Sequence, residues 1–157
     1  MYRGVLGLNF ISSEMLPLIL ALISGVLMAV QGSLNTSLSK VIGLLEATFV
    51  VQITGTILGM ILLFVFKMGK GDLYAWQEAP WYSWLGGIIG VAIIYLVAAS
   101  IPGVGVANAT TAIIVGQVLT AILIDHFGGF GLERMACSPQ QVFGLLLLAV
   151  GAKLLLK

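Results

Sequence analysis

The chain has 157 residues, of which 60% are hydrophobic and 8% charged, and its mean hydropathy is +1.14. A water-soluble domain carries about 25% charged residues, so this chain lacks the polar surface that solvent demands. A formal net charge of +1 excludes a basic footprint for nucleic acid, and a single cysteine, Cys137, and a single histidine, His126, leave no intrachain disulfide, no cysteine cluster and no histidine-based metal site.

A bilayer-spanning helix needs about 20 apolar residues. Five stretches meet or approach that length, which predicts an all-α integral membrane protein with helices at about 16–38, 44–66, 81–100, 104–124 and 139–157. The first is too long for a signal-peptide core, and no small-residue cleavage site follows it. Residues 1–14 are mixed in polarity and read as a dispensable extension if Met15 is the true start. Ser39–Gly43 is a short turn carrying Lys40. The second helix stops at Lys67. The loop to Pro80 holds Lys70, Asp72 and Glu78. Ile101-Pro102-Gly103 is expected to break the chain between the third and fourth helices, because proline has no N–H to donate. A second loop, 125–138, leads to Pro139, placed for the first turn of a short fifth helix. Lys153 is tolerated there because lysine near a helix end reaches back to water. Residues 1–157 read as one five-helix domain without an obvious internal repeat.

Five spans put the termini on opposite sides. Side A, that of the N-terminus, holds Arg3, Lys67, Lys70 and Arg134. Side B holds Lys40, Lys153 and Lys157. Orientation follows an excess of Lys and Arg on the cytoplasmic side, and here the two sides nearly balance. The chain then inserts in both orientations, or a partner or one key residue decides. Trp76, Trp81 and Trp84, with Tyr74 and Tyr82, all lie at side A. So do Phe64, Phe66, Phe127 and Phe130. Tryptophan and tyrosine normally anchor both membrane interfaces, and two antiparallel copies would supply both belts.

Polar residues inside the spans are the main functional signal. Ser24, Met28, Gln31 and Asn35 share one face of the first helix. Thr48, Gln52, Gly55 and Gly59 share one face of the second, and Thr110, Gln117 and Thr120 one of the fourth. An amide is costly to expose to lipid, so Gln31, Asn35, Gln52 and Gln117 face the bundle interior. They line a substrate path, or they are hydrogen-bonding glue between helices. Glu46 opens the second helix, as a capping acid or as a proton or cation site. Asp125 and His126 close the fourth, as a proton relay or as interfacial polar residues. The pairs Gly55/Gly59, Gly86/Gly90 and Gly144/Gly151 provide close-packing faces. The fifth helix, nearly free of polar residues, reads as a packing or dimer-contact helix. No nucleophile–base constellation, phosphate loop or zinc motif is present. Neither an enzyme nor a cofactor is expected.

Ala29-Val30-Gln31-Gly32-Ser33-Leu34-Asn35 resembles the A-x-Q-G-x-x-N signature of the YdcZ-type transporters. These form a short, five-helix branch of the drug/metabolite transporter superfamily. Trp84-Leu85-Gly86-Gly87-Ile88-Ile89-Gly90 is similar to their W-x-G-G-x-x-G stretch. Gly116-Gln117 and Asp125-His126-Phe127-Gly128 resemble their G-Q…D-H-F-G block, and Phe143–Leu147 their fifth-helix opening. The likeness covers about residues 15–157. It implies a prokaryotic inner-membrane location and a chain that is half of a transporter, paired with an antiparallel copy or with a paralogous partner chain. The chain departs from the related small multidrug resistance proteins, which embed a glutamate in the first helix, and Glu46 stands where a small or apolar residue is expected. The reading that follows is alternating-access transport of a small neutral or zwitterionic molecule by an antiparallel homodimer in the bilayer. The alternatives are a non-transporting scaffold or modulatory subunit, and a helix-lined channel.

Overall fold

The computed structural model describes residues 15–156. The N-terminal extension, Arg3 and Lys157 lie outside the described residues. Five helices follow in chain order: α1 (Met15–Ile42), α2 (Leu44–Met60), α3 (Leu85–Val104), α4 (Val106–Phe127) and α5 (Pro139–Leu155). No strand occurs among the described residues. Four helical stretches are long and apolar enough to cross a membrane: Met15–Ile42, Leu44–Val65, Trp81–Val104 and Val106–Phe127. The fifth, α5, is apolar but only 17 residues long. At 1.5 Å per residue that is roughly 25 Å, short of the hydrocarbon core of about 30 Å.

The helix ends differ from the expected ones, each for a local reason. Lys40 was expected in a turn, yet it lies in the last turn of α1. A cation there suits the negative end of the helix dipole, and the reversal falls on Gly43 alone. α2 widens into a π-helical turn at Ile61–Val65, with the Phe66 N–H donating to the Ile61 carbonyl at 3.0 Å. Lys67 ends it with φ 51. Two 3₁₀ segments, Leu73–Glu78 and Trp81–Trp84, lead into α3. At α5, Ser138 and Gln141 form a reciprocal capping box ahead of Pro139. The Ser138 hydroxyl accepts from the Gln141 N–H at 3.2 Å, and the Ser138 N–H donates to the Gln141 side chain at 2.8 Å.

The expected break at Ile101-Pro102-Gly103 is not observed. α3 runs through Pro102 and ends at Val104, and the interruption falls on Gly105. Proline lacks the N–H that would reach the carbonyl four residues back, that of Ala98. The Thr36 hydroxyl of α1 lies 3.4 Å from that carbonyl oxygen and 2.8 Å from the Gly32 carbonyl. The single hydroxyl proton is shared, with Gly32 the nearer acceptor and the freed Ala98 carbonyl the longer arm.

Gly43 and Gly105 are equivalent hinges. Their backbones match, at φ 99, ψ 157 and φ 83, ψ 161, a region essentially reserved for glycine. Each N–H closes the preceding helix, Gly43 on Ser39 at 3.0 Å and Gly105 on Ile101 at 2.8 Å. Each carbonyl opens the next helix by accepting from Ala47 or Ala109, both at 3.0 Å. Counted from the two glycines, buried Ala47 matches buried Ala109 and buried Thr36 matches buried Ala98. The pairs α1–α2 and α3–α4 therefore share the same glycine-centred reversal, a likeness that sequence inspection does not reveal.

The buried positions concentrate at side B. Gly32, Asn35, Thr36, Ala47, Thr48, Ala98, Ile101 and Ala109 all flank the two glycine hinges. Nearly all are small, so the helices meet there at close range. A Cβ on Gly32 would stand 2.9 Å from Val97 Cγ1. Large exposed apolar side chains occur along the whole length of the helices, from Leu22 and Leu123 to Val41 and Leu45. Their solvent is lipid. α1 is central and packs on α2, α3 and α4, whereas α5 packs on α4 alone.

Candidate substrate groove

Where the helices separate, α1, α3 and α4 enclose a groove of about 700 Å³. Its walls are apolar: Leu22, Val26 and Met28 from α1, Ile93, Leu96 and Val97 from α3, Ile113 and Ile114 from α4. Two polar side chains enter it, Thr110 and Gln117, both from α4. Their separation of seven residues puts them on one face, about 10 Å apart along the helix. Neither makes a side-chain hydrogen bond among the described residues. Neighbouring hydroxyls behave differently: Thr111 returns its proton to the Ala107 carbonyl at 2.9 Å, and Ser33 to Ala29 at 2.9 Å. The groove ends toward side B at Gly32 and Ile101, where α1 and α3 close on each other.

A second cleft, of about 430 Å³, lies between α2 and α3. Leu45, Glu46, Thr48, Phe49, Gln52 and Val91 line it. The Gln52 amide nitrogen lies near Gly90, 3.7 Å from where a Cβ would stand. A Cβ on Gly43 would collide with the Glu46 carboxylate, so that carboxylate folds back over the start of its own helix, where the dipole favours it.

Of the residues singled out by sequence, Gln117 therefore lines the groove, and Gln52 and Glu46 share the second cleft. Asn35 is buried, at 6% exposure, whereas Gln31 and Gln117 are exposed in the single chain rather than turned into the bundle as expected. Neither Asn35 nor Gln31 lines either cavity. Thr110 gained its place here because its hydroxyl is left free, which sequence does not tell. Asp125 and His126 sit at the end of α4, where the following loop folds back on them. The Asp125 carbonyl accepts from the Met135 N–H at 2.8 Å, and the His126 carbonyl from Arg134 Nε at 2.9 Å. The His126 ring nitrogen Nδ1 accepts from the Cys137 N–H at 3.5 Å. Gly128, left-handed at φ 64, ends the helix. No group of three or more His, Cys, Asp or Glu that could hold a metal ion occurs among the described residues.

The glycines divide into two kinds. Gly32 touches α3. A Cβ at Gly55, Gly59, Gly86, Gly144 or Gly151 would meet nothing within 4 Å, so these faces are open in the single chain. At side A the aromatic residues cluster. Trp76 and Trp84 stack edge to face at 4.9 Å, and Tyr82 meets Phe130 at 5.9 Å, joining the two side-A loops.

The family model described as "Putative inner membrane exporter, YdcZ" matches residues 16–154. The chain belongs to the YdcZ family. It is a multi-pass inner-membrane protein, and its class of function is transport. No curated protein and no solved structure gives a significant match.

Proposed function

We propose that the protein moves a small molecule across the inner membrane by alternating access, as an antiparallel pair of chains within the wider drug/metabolite transporter superfamily. The observation that carries this reading is the groove: about 700 Å³, ended toward side B where Gly32 meets Val97 and Ile101, with the Gln117 amide at mid-helix. One chain closes this groove at the Gly32 end. A second copy, inverted, brings a sealed end to the opposite face, and rocking between the two halves exchanges access. The near balance of Lys and Arg, the tryptophan belt at one interface and the open glycine faces of α2, α3 and α5 all suit such a pair. α5, bound to α4 alone, is the element freest to contact the partner. A paralogous chain would serve the same geometry. Gln117 is the substrate-contacting residue we favour. Gln31, Asn35 and Gln52 extend the path once two chains are joined. Glu46, Asp125 and His126 are the titratable groups left for ion coupling.

The test is reconstitution into proteoliposomes, a thermal-shift screen of metabolites, and flux of any ligand found. Gln117→Ala should reduce both binding and flux. Flux unchanged in Gln117→Ala and Gln31→Ala for every ligand found contradicts the cavity assignment.

A further inference from the structure

The groove carries no charge. Its lining is contributed wholly by α1, α3 and α4, and Thr110 and Gln117 are the only polar side chains in it. The described charged residues lie elsewhere. Lys40, Asp125 and Lys153 are in last turns, Glu46 in a first turn, and Lys67, Lys70, Asp72, Glu78, Glu133 and Arg134 in the side-A loops. An ionised ligand in the groove would find no counter-charge in a medium of low dielectric, and that penalty is large.

The two polar groups restrict the ligand further. A hydroxyl and a primary amide both donate and accept. Neither half-buried Thr110 nor exposed Gln117 makes a side-chain hydrogen bond among the described residues, unlike Thr111, so both groups are available to a ligand. Around them the walls are aliphatic. The rim is apolar and open on the single chain, with Leu22 71% and Leu96 63% exposed, and neither α2 nor α5 contributes to the lining. A ligand dissolved in the bilayer reaches such a rim without crossing a polar barrier.

We infer that the groove binds an uncharged, mainly apolar molecule carrying one hydrogen-bonding oxygen or nitrogen, taken from the bilayer and held at Gln117 or Thr110. The inference rests on the transport reading and narrows its substrate class, setting zwitterions and organic cations aside. Gly25 gives the means to test the site. It lines the groove, and a Cβ there meets nothing within 4 Å. A leucine at this position starts from an unobstructed Cβ on the groove's own lining and takes up part of its volume.

The experiment uses the full chain in phosphatidylethanolamine/phosphatidylglycerol nanodiscs, with tritiated triphenylphosphine oxide as probe and empty nanodiscs subtracted. Tetraphenylphosphonium, a cation of similar shape, and triphenylmethane, which lacks the oxygen, serve as competitors. The oxide should bind saturably, and tetraphenylphosphonium should compete at least about tenfold more weakly than the unlabelled oxide. Gly25→Leu should weaken oxide binding by about tenfold or more through lost volume. Gln117→Leu should weaken the oxide by about fivefold, with competition by triphenylmethane against the residual binding unchanged. Absence of saturable binding overturns the inference. So does tetraphenylphosphonium competing as well as the oxide, or oxide binding that survives Gly25→Leu unchanged, the mark of simple lipid partition. Flux separates the two claims. Flux of a charged solute without oxide binding leaves transport standing and removes this substrate class. Oxide binding that behaves as stated, with no flux of any solute, removes transport and leaves the groove's chemistry.

Discussion

The Thr36 hydroxyl lies 3.4 Å from the carbonyl oxygen of Ala98, the acceptor that Pro102 leaves without its helical partner. Thr36 is 4% exposed and Ala98 1%, so water does not substitute. Thr36→Val keeps the shape and removes the donor. It should destabilise the protein by about 1 kcal/mol, since a buried carbonyl loses its partner. Pro102→Ala restores an N–H to that carbonyl, so Thr36→Val should cost less in the Pro102→Ala background. A double-mutant cycle on thermal unfolding in detergent reads the difference, and equal costs in both backgrounds would show that the hydroxyl does not serve Ala98.

Gly43 and Gly105 occupy the same glycine-only backbone region. Gly43→Ala and Gly105→Ala should each lower stability by about 1–3 kcal/mol. Gly43→Ala should cost more, because its Cβ also meets the Glu46 carboxylate, whereas a Cβ at Gly105 meets nothing within 4 Å. Relieving that contact with Glu46→Ala should bring the two costs together. Melting temperatures of the four variants check this.

Gly32 and Gly55 separate contacts within one chain from faces open to another. Gly32→Val should destabilise the fold by about 1–3 kcal/mol, because its side chain would press on Val97 and Ile101. A Cβ at Gly55 meets nothing within 4 Å in one chain, so Gly55→Val should leave the fold intact. If Gly55 lies in the contact between copies, cross-linking yield of the pair should fall while helicity by circular dichroism stays unchanged.

Ser138→Ala removes one half of the capping box at the start of α5. The expected cost is about 1 kcal/mol, local to that helix because α5 packs on α4 alone. Hydrogen exchange should quicken in the first turn of α5 and remain unchanged in α1 and α3.

Much of the bundle is legible in the sequence, because apolar length alone marks helices in a bilayer protein. The cores of all five helices fall where hydropathy puts them. The boundaries do not follow so simply. Pro102 reads as a break under any local rule, yet the helix carries through it, with Thr36 beside the freed carbonyl in space. Lys40 reads as a turn residue because lysine is polar, although a helix C-terminus welcomes it. The site is legible in part. Gln117 stands out as an amide in an apolar helix, but the groove needs three helices to exist. Helical spacing already puts Thr110 rather than Thr111 on the face of Gln117, but only the structure shows that the Thr111 hydroxyl is spent on its own backbone. Gly32, the glycine that touches α3, carries no packing signal of its own, while the more conspicuous Gly55/Gly59 pair faces open space.

The central claim is that one chain is half of a machine completed by an inverted copy. Single cysteines at Gly71, in the side-A loop, and at Leu156, just past α5, test it in a background with Cys137 replaced by serine. In intact cells and inverted vesicles, an impermeant thiol reagent should reach each position from both sides, about half of the molecules from each if the two orientations are equally populated. Labelling of each position from one side only contradicts the antiparallel homodimer.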